Sequence, residues 1–119
     1  MNISEISKKI PPDIDAFITT KPSDLLYLTG IKCDFFVFFL TKKTNFIFAP
    51  KLYNQLKLIL DCYDIKDIFK SLPKILKSLN IKKIGFNSNE MLSYPLQQLK
   101  KIKGIQLIDR KNFLTDLRM

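Results

Sequence analysis

Residues 35–40, Phe-Phe-Val-Phe-Phe-Leu, are apolar at every one of six successive positions. A membrane-spanning helix needs about 20 such residues, so the run is far too short to cross a bilayer. It also lacks the alternation of a strand with one wet face, and reads as a strand buried on both faces. Such a strand needs helices above and below its sheet. The fold expected is therefore α/β layers and not a sandwich. Thr41-Lys42-Lys43-Thr44 is a polar connection and residues 45–49 (NFIFA) supply a return strand, so residues 35–49 form a β-hairpin.

The rest of the chain provides the cover. Ile3, Ile6 and Ile10 recur at near-helical spacing until Pro11-Pro12-Asp13 stops them. Residues 14–19 (IDAFIT) read as a first strand. Pro22 then restricts the backbone, Ser23 or Asp24 can cap a helix, and residues 25–28 form a short helical segment that Gly30 ends in the left-handed conformation. After the hairpin, Pro50 suits a first helical position, and Leu52, Tyr53, Leu56, Ile59 and Leu60 make an apolar stripe. Residues 61–65 hold a brief edge strand. Ile68, Leu72, Ile75, Leu76 and Leu79 form a second stripe, which Pro73 is expected to start or kink. Residues 81–86 (IKKIGF) are a strand, Asn87 and Glu90 resemble a capping box, and Leu92, Leu96, Leu99 and Ile102 line a helix ended by Gly104. Residues 105–108 (IQLI) are the last strand. Stripes at this spacing are core far more often than cofactor sites.

Composition narrows the chemistry. At 119 residues, with 46% hydrophobic and 26% charged residues, the chain makes one globular domain. It contains no histidine, which removes any His-based triad, His-containing metal site or His general base. Cys33 and Cys62 stand far apart without a CxxC and read as small core residues; two free thiols fit a reducing cytoplasm. Asp13 and Asp15 flank a turn and a strand entrance and have no ligand-like spacing. The formal charge of +9 raises the prospect of a nucleic-acid partner. Arginine, the residue suited to phosphate and base forks, stands only at Arg110 and Arg118, and the lysines are dispersed. Dispersed lysines usually cover solvated faces, so nucleic acid is the weaker reading, and no membrane is involved.

Asp15-Ala16-Phe17-Ile18-Thr19, followed by Pro22-Ser23-Asp24-Leu25-Leu26-Tyr27-Leu28-Thr29-Gly30, resembles the opening of the amino-terminal domain of Xaa-Pro aminopeptidases, prolidases and creatinases. The resemblance continues through the hairpin, a segment with Tyr53 and Gln55, the Lys83-Ile84-Gly85-Phe86 strand, and Asp109 with the closing run from Phe113 to Arg118. It implies a mixed β-sheet with helices on both faces, spanning residues 1–119 as a single domain. It also implies that a carboxy-terminal pita-bread catalytic domain lies beyond this sequence. In the whole protein that domain would hold two divalent metal ions, for example manganese, whose hydroxide attacks the bond preceding proline.

The function so implied is that of a non-catalytic domain of a proline-specific metallopeptidase, Xaa-Pro aminopeptidase or dipeptidase. It would pack against its own catalytic domain, contribute to a homo-oligomer and narrow the pocket for short proline-containing peptides. By position, the loop 31–34 would lie nearest that pocket, which singles out Lys32 and Asp34 as pocket-facing. Lys51 and Tyr53 become candidate partner contacts. Relatives of this kind often carry Asp and Arg just before the tyrosine matching Tyr53, where this chain has Pro50, Lys51 and Leu52; Lys51 supplies a charge there but no bidentate fork. Against these roles, exposed connecting loops are ordinary, and a helix tyrosine usually packs on its sheet. The chain's end at Arg118-Met119 suggests truncation of a longer protein. The alternatives are a stand-alone peptide- or protein-binding module of the same fold and, more weakly, a basic nucleic-acid-binding domain.

Overall fold

The computed structural model describes residues 3–50, 60–89, 93–110 and 112–118. In chain order the described elements are α1 (Ile3–Ser7), β1 (Ala16–Thr19), α2 (Pro22–Thr29), β2 (Val37–Thr41) and β3 (Phe46–Ala49). They continue with β4 (Asp61–Asp64), a 3-10 turn (Ile65–Asp67), α3 (Ile68–Ser78), β5 (Lys83–Phe86), α4 (Ser93–Lys100), β6 (Gln106–Asp109) and α5 (Phe113–Arg118).

The strands form one mixed sheet in the order β4-β3-β2-β1-β5-β6. β1, β2 and β3 pair antiparallel, while β4, β5 and β6 join in parallel. The register keeps like faces together. Phe17 opposes Leu40 and Phe38 opposes Ile47, all in one core; Ile18 opposes Phe39 and Val37 opposes Phe48, all in the other. The first core is closed by Ile6 of α1, Leu25 and Leu28 of α2 and Leu114 of α5. The second is closed by Ile68, Leu72 and Leu76 of α3 and Leu99 of α4. The hairpin therefore reads as continuously apolar because its two faces serve two cores. Phe39 stacks on Phe46 at 4.7 Å, and Tyr63 on edge strand β4 shields Phe46 and Phe48 at ring distances of 6.3 and 5.4 Å.

Polar side chains fix the connections. Thr41 Oγ1 accepts from the N–H groups of Lys43 and Thr44 and donates to the Thr44 carbonyl. Asn45 Oδ1 accepts from Thr41 N–H and from Ser7 Oγ, which ties α1 to the hairpin turn. Gly30 ends α2 at φ 75°, its N–H donating to the Leu26 carbonyl at 2.8 Å, as its position in the sequence indicates.

The structure departs from the sequence reading in several places. The hairpin's first strand begins at Val37; Phe35 stays outside the sheet and is 61% exposed. Cys33 is turned inward instead, its thiol donating to the Phe35 carbonyl at 3.4 Å. Helix α2 starts at Pro22 with Lys21 at the cap position, so Ser23 and Asp24 lie within its first turn. Helix α3 starts at Ile68, and Pro73 sits inside it. Asp64 accepts from Lys66 N–H at 3.0 Å and initiates the 3-10 turn that feeds α3, and burial of Ile68, Leu72 and Leu76 outweighs the bond Pro73 cannot make. The stripe at residues 52–59 and Glu90 of the capping box lie outside the described residues.

Gly85 on β5 faces the first core, where an added Cβ would come within 2.6 Å of Ile14 Cδ1 and 3.3 Å of Phe17 Cδ2. Cδ1 is the end of the Ile14 side chain, but both neighbours are buried, so any shift has to be made within a packed core. Gly85→Ala is expected to lower unfolding stability by roughly 1–3 kcal/mol through overpacking. Urea denaturation measures this, and an unchanged midpoint would show that Ile14 repacks freely.

Candidate functional site

The segment from Asp15 to Gly30 builds a frame. The Asp15 carboxylate accepts from the N–H groups of Lys82 and Lys83, each at 2.9 Å, while its own N–H donates to the Lys83 carbonyl at 2.7 Å. It thereby locks the start of β1 to the start of its parallel neighbour β5. Burial pushes the Asp15 carboxyl up. The two N–H donors, helped by the Lys42 and Lys83 charges, pull harder and hold it below the ordinary aspartate value. At the other end of β1, Thr19 Oγ1 donates to the buried Asp24 carboxylate at 2.7 Å. Thr29 Oγ1 donates to the Leu25 carbonyl and accepts from Ile31 N–H, so the Thr-Gly pair directs the chain into the loop that carries Lys32, Asp34 and Phe35.

That loop borders a groove of about 520 Å³ on the second face of the sheet. Ile18 and Val37 form its floor. Ile68, Phe69 and Leu72 of α3 make one wall, and Leu99 and Ile102, in and just after α4, make the other. Phe35 stands at its edge, and Lys66, Lys101 and Lys103 supply charge at its rim. A second cavity, of about 500 Å³, lies on the opposite side beside Lys9, Asp109, Arg110 and Asp116. There Arg110 forms an ion pair with Asp13, and Asp109 accepts from Ser88 Oγ at 2.6 Å, so these charges are engaged within the fold.

Among the described residues no three His, Cys, Asp or Glu side chains converge as metal ligands, and the sequence contains no histidine. The described residues therefore offer no ligand set for the pair of divalent metals that the whole-protein resemblance implies. Among the described residues, too, no helix is long and apolar enough to cross a membrane. The arrangement can present an apolar surface with lysine at its border.

The family model described as Creatinase/Prolidase N-terminal domain matches residues 12–119. The chain belongs to this family. No curated protein matches it by sequence. The creatinase/prolidase N-terminal fold is shared with an Xaa-Pro aminopeptidase from Streptococcus thermophilus, at TM-score 0.79 and 21% identity, with 98% of this chain and 93% of that one covered. It is shared with the N-terminal domain of the cytoplasmic peptidase PepQ from Mycobacterium tuberculosis, at TM-score 0.78 and 15% identity over 98% and 97% of the two chains. An Xaa-Pro dipeptidase from Bacillus anthracis is similar at TM-score 0.82 and 18% identity; the match covers 98% of this chain but 35% of that one. The mixed sheet covered on both faces is thus the fold of this family's N-terminal domains.

Within this creatinase/prolidase N-terminal domain, Lys32 and Asp34 are both exposed on the loop between α2 and β2, and neither lines the groove. Lys51 and Tyr53 lie outside the described residues. The groove residues Phe35, Phe69 and the three lysines were not legible as a site, because they come from a loop, a helix and a turn distant in sequence.

Asp15 yields a pH prediction. Its pKa is lowered on folding, so its contribution is present above the unfolded value, about 3.9, and is lost as pH falls through the lower folded value. Asp15→Asn, which keeps the shape and removes the charge, is expected to cost about 1 kcal/mol at pH 7. The difference from the parent chain should close as the pH drops below about 4. Thermal melts from pH 7 to pH 2 test this, and a gap that widens on acidification would contradict it.

Proposed function

We propose that this domain is the non-catalytic amino-terminal part of a proline-specific metallopeptidase, an Xaa-Pro aminopeptidase or dipeptidase. The observation that carries the reading is the family match over residues 12–119. It is supported by structural neighbours described as an Xaa-Pro aminopeptidase and an Xaa-Pro dipeptidase. The chain spans about a third of the Bacillus anthracis dipeptidase chain, 35%, which leaves room there for a further domain. In this reading a carboxy-terminal domain holds two divalent metals, such as manganese, and performs the hydrolysis. The present domain packs against it, contributes to a homo-oligomer and restricts entry to short proline-containing peptides.

Lys32 and Asp34 are then the loop side chains closest to the substrate pocket, where opposite charges side by side could meet the termini of a short peptide. Lys51 and Tyr53 are the candidate partner contacts. The neighbour described as a cytoplasmic peptidase and the two free thiols support a cytoplasmic setting. The exposed apolar groove favours one second reading, a binding module of the same fold that acts without a peptidase.

The purified 119-residue chain is expected to release no amino acid from Xaa-Pro peptides with or without added manganese. Sequencing the gene beyond codon 119 should reveal a frame encoding Asp, Asp, His, Glu and Glu ligands. Turnover that tracks with the pure chain would overturn the non-catalytic assignment. A stop codon at that point would favour the binding module.

A further inference from the structure

Phe35 is 61% exposed and Phe69 is 44% exposed, and both line the groove between α3 and α4. Single exposed apolar residues are ordinary. Two phenylalanines lining one groove whose floor and walls are Ile18, Val37, Ile68, Leu72 and Leu99 make an apolar opening of the kind that marks a docking site. The charged side chains among its described lining residues are all lysines. Lys66, Lys101 and Lys103 are exposed there, and none of the described lining residues is acidic. A second copy of this chain, itself at +9, would bring lysine against lysine. An apolar stripe flanked by carboxylates satisfies both features, and a groove walled by two helical segments suits the helix-in-groove mode of recognition. The last described helix, α5, packs on the opposite face, with Phe113 against Phe17 at 5.1 Å and Leu114 in the first core. A segment continuing from α5 therefore starts on the far side of the sheet from the groove.

We propose that the groove docks an amphipathic acidic segment of a separate protein, with Phe35 and Phe69 as apolar contacts and Lys66, Lys101 and Lys103 as counter-charges. Docking of this kind does not depend on whether a peptidase domain follows. Phe35 and the three lysines are exposed, so variants at those positions leave the two cores intact.

The test is fluorescence anisotropy of the full chain with two labelled helical peptides. Both carry the same Leu and Phe stripe; one is flanked by Glu and the other by Lys. The Glu peptide is expected to bind at least about tenfold tighter at low salt, with the advantage shrinking as salt rises. Phe35→Ser should weaken it by about tenfold while leaving the melting temperature near that of the parent chain, and Phe69→Ser should weaken it by a similar factor. Changing Lys66, Lys101 and Lys103 together to Glu should reverse the preference toward the Lys peptide. Equal binding of the two peptides, failure of both to bind, or affinity unaffected by the Phe changes would each overturn the proposal. So would groove-dependent dimerisation in ultracentrifugation, or uptake of dodecanoate in place of the Glu peptide.

Discussion

The centre of this domain is a three-stranded antiparallel unit, β1-β2-β3, whose side chains are buried at every position. A sheet so apolar on both sides cannot leave either face to water, and everything else in the chain follows from covering it. Helices α1, α2 and α5 meet one face, and α3 and α4 meet the other. Pairing in register keeps Phe, Ile and Leu of neighbouring strands on a common face; a slip of one residue would move each into the wrong core. Asp15 serves this constraint directly. Its two accepted bonds set where β5 begins relative to β1, and so which face Ile84 and Gly85 present.

Cover on the two faces is unequal. Among the described residues the first face is closed by α1, α2 and α5 and by Cys33 and Phe36 folding in from the loop before β2. On the second, α3 and the segment from α4 to Ile102 stand apart far enough to leave the groove over Ile18 and Val37. Phe35 and Phe69 border this opening and remain substantially exposed. Phe35, the more exposed of the two, lies outside the sheet, so its chemistry is better accounted for by contact with another molecule than by stability.

Much of the architecture was legible in the sequence because it is dictated by local signals. The hairpin follows from an apolar run, a polar turn and a second run; Gly30 marks a helix end that demands positive φ; residues 61–65 give the edge strand seen as β4. Phe35 was misread as strand because hydrophobicity cannot distinguish the first residue of a buried run from a loop residue exposed for contact. Pro73 does not start its helix, because the rule for proline describes an isolated helix and not one held by Ile68, Leu72 and Leu76. The groove was invisible for a different reason. It exists only when residues 35, 66, 69, 101 and 103 are brought together by packing, and no period in the sequence links them.

Resemblance and chemistry bear on different parts of the molecule. The residues that link the chain to its family, Asp15 through Gly30, act here as strand lock, helix entry and helix exit. They fix the fold, and two proteins sharing them would be built alike whatever they bind. The features able to distinguish this domain's partners are instead exposed and charged: Lys32 and Asp34 on one loop, and the lysine-bordered apolar groove beside it. Lysine suits such a border, since its alkyl stem can lie along apolar surface while the ammonium stays in water until an acidic group arrives. The net charge of +9 then favours approach of acidic partners over distance, while the groove restricts which of them can settle. Long-range attraction without the apolar contacts would be unselective, and the apolar contacts alone would invite self-association. Selectivity requires both on the same face, which is where packing of α3 and α4 puts them.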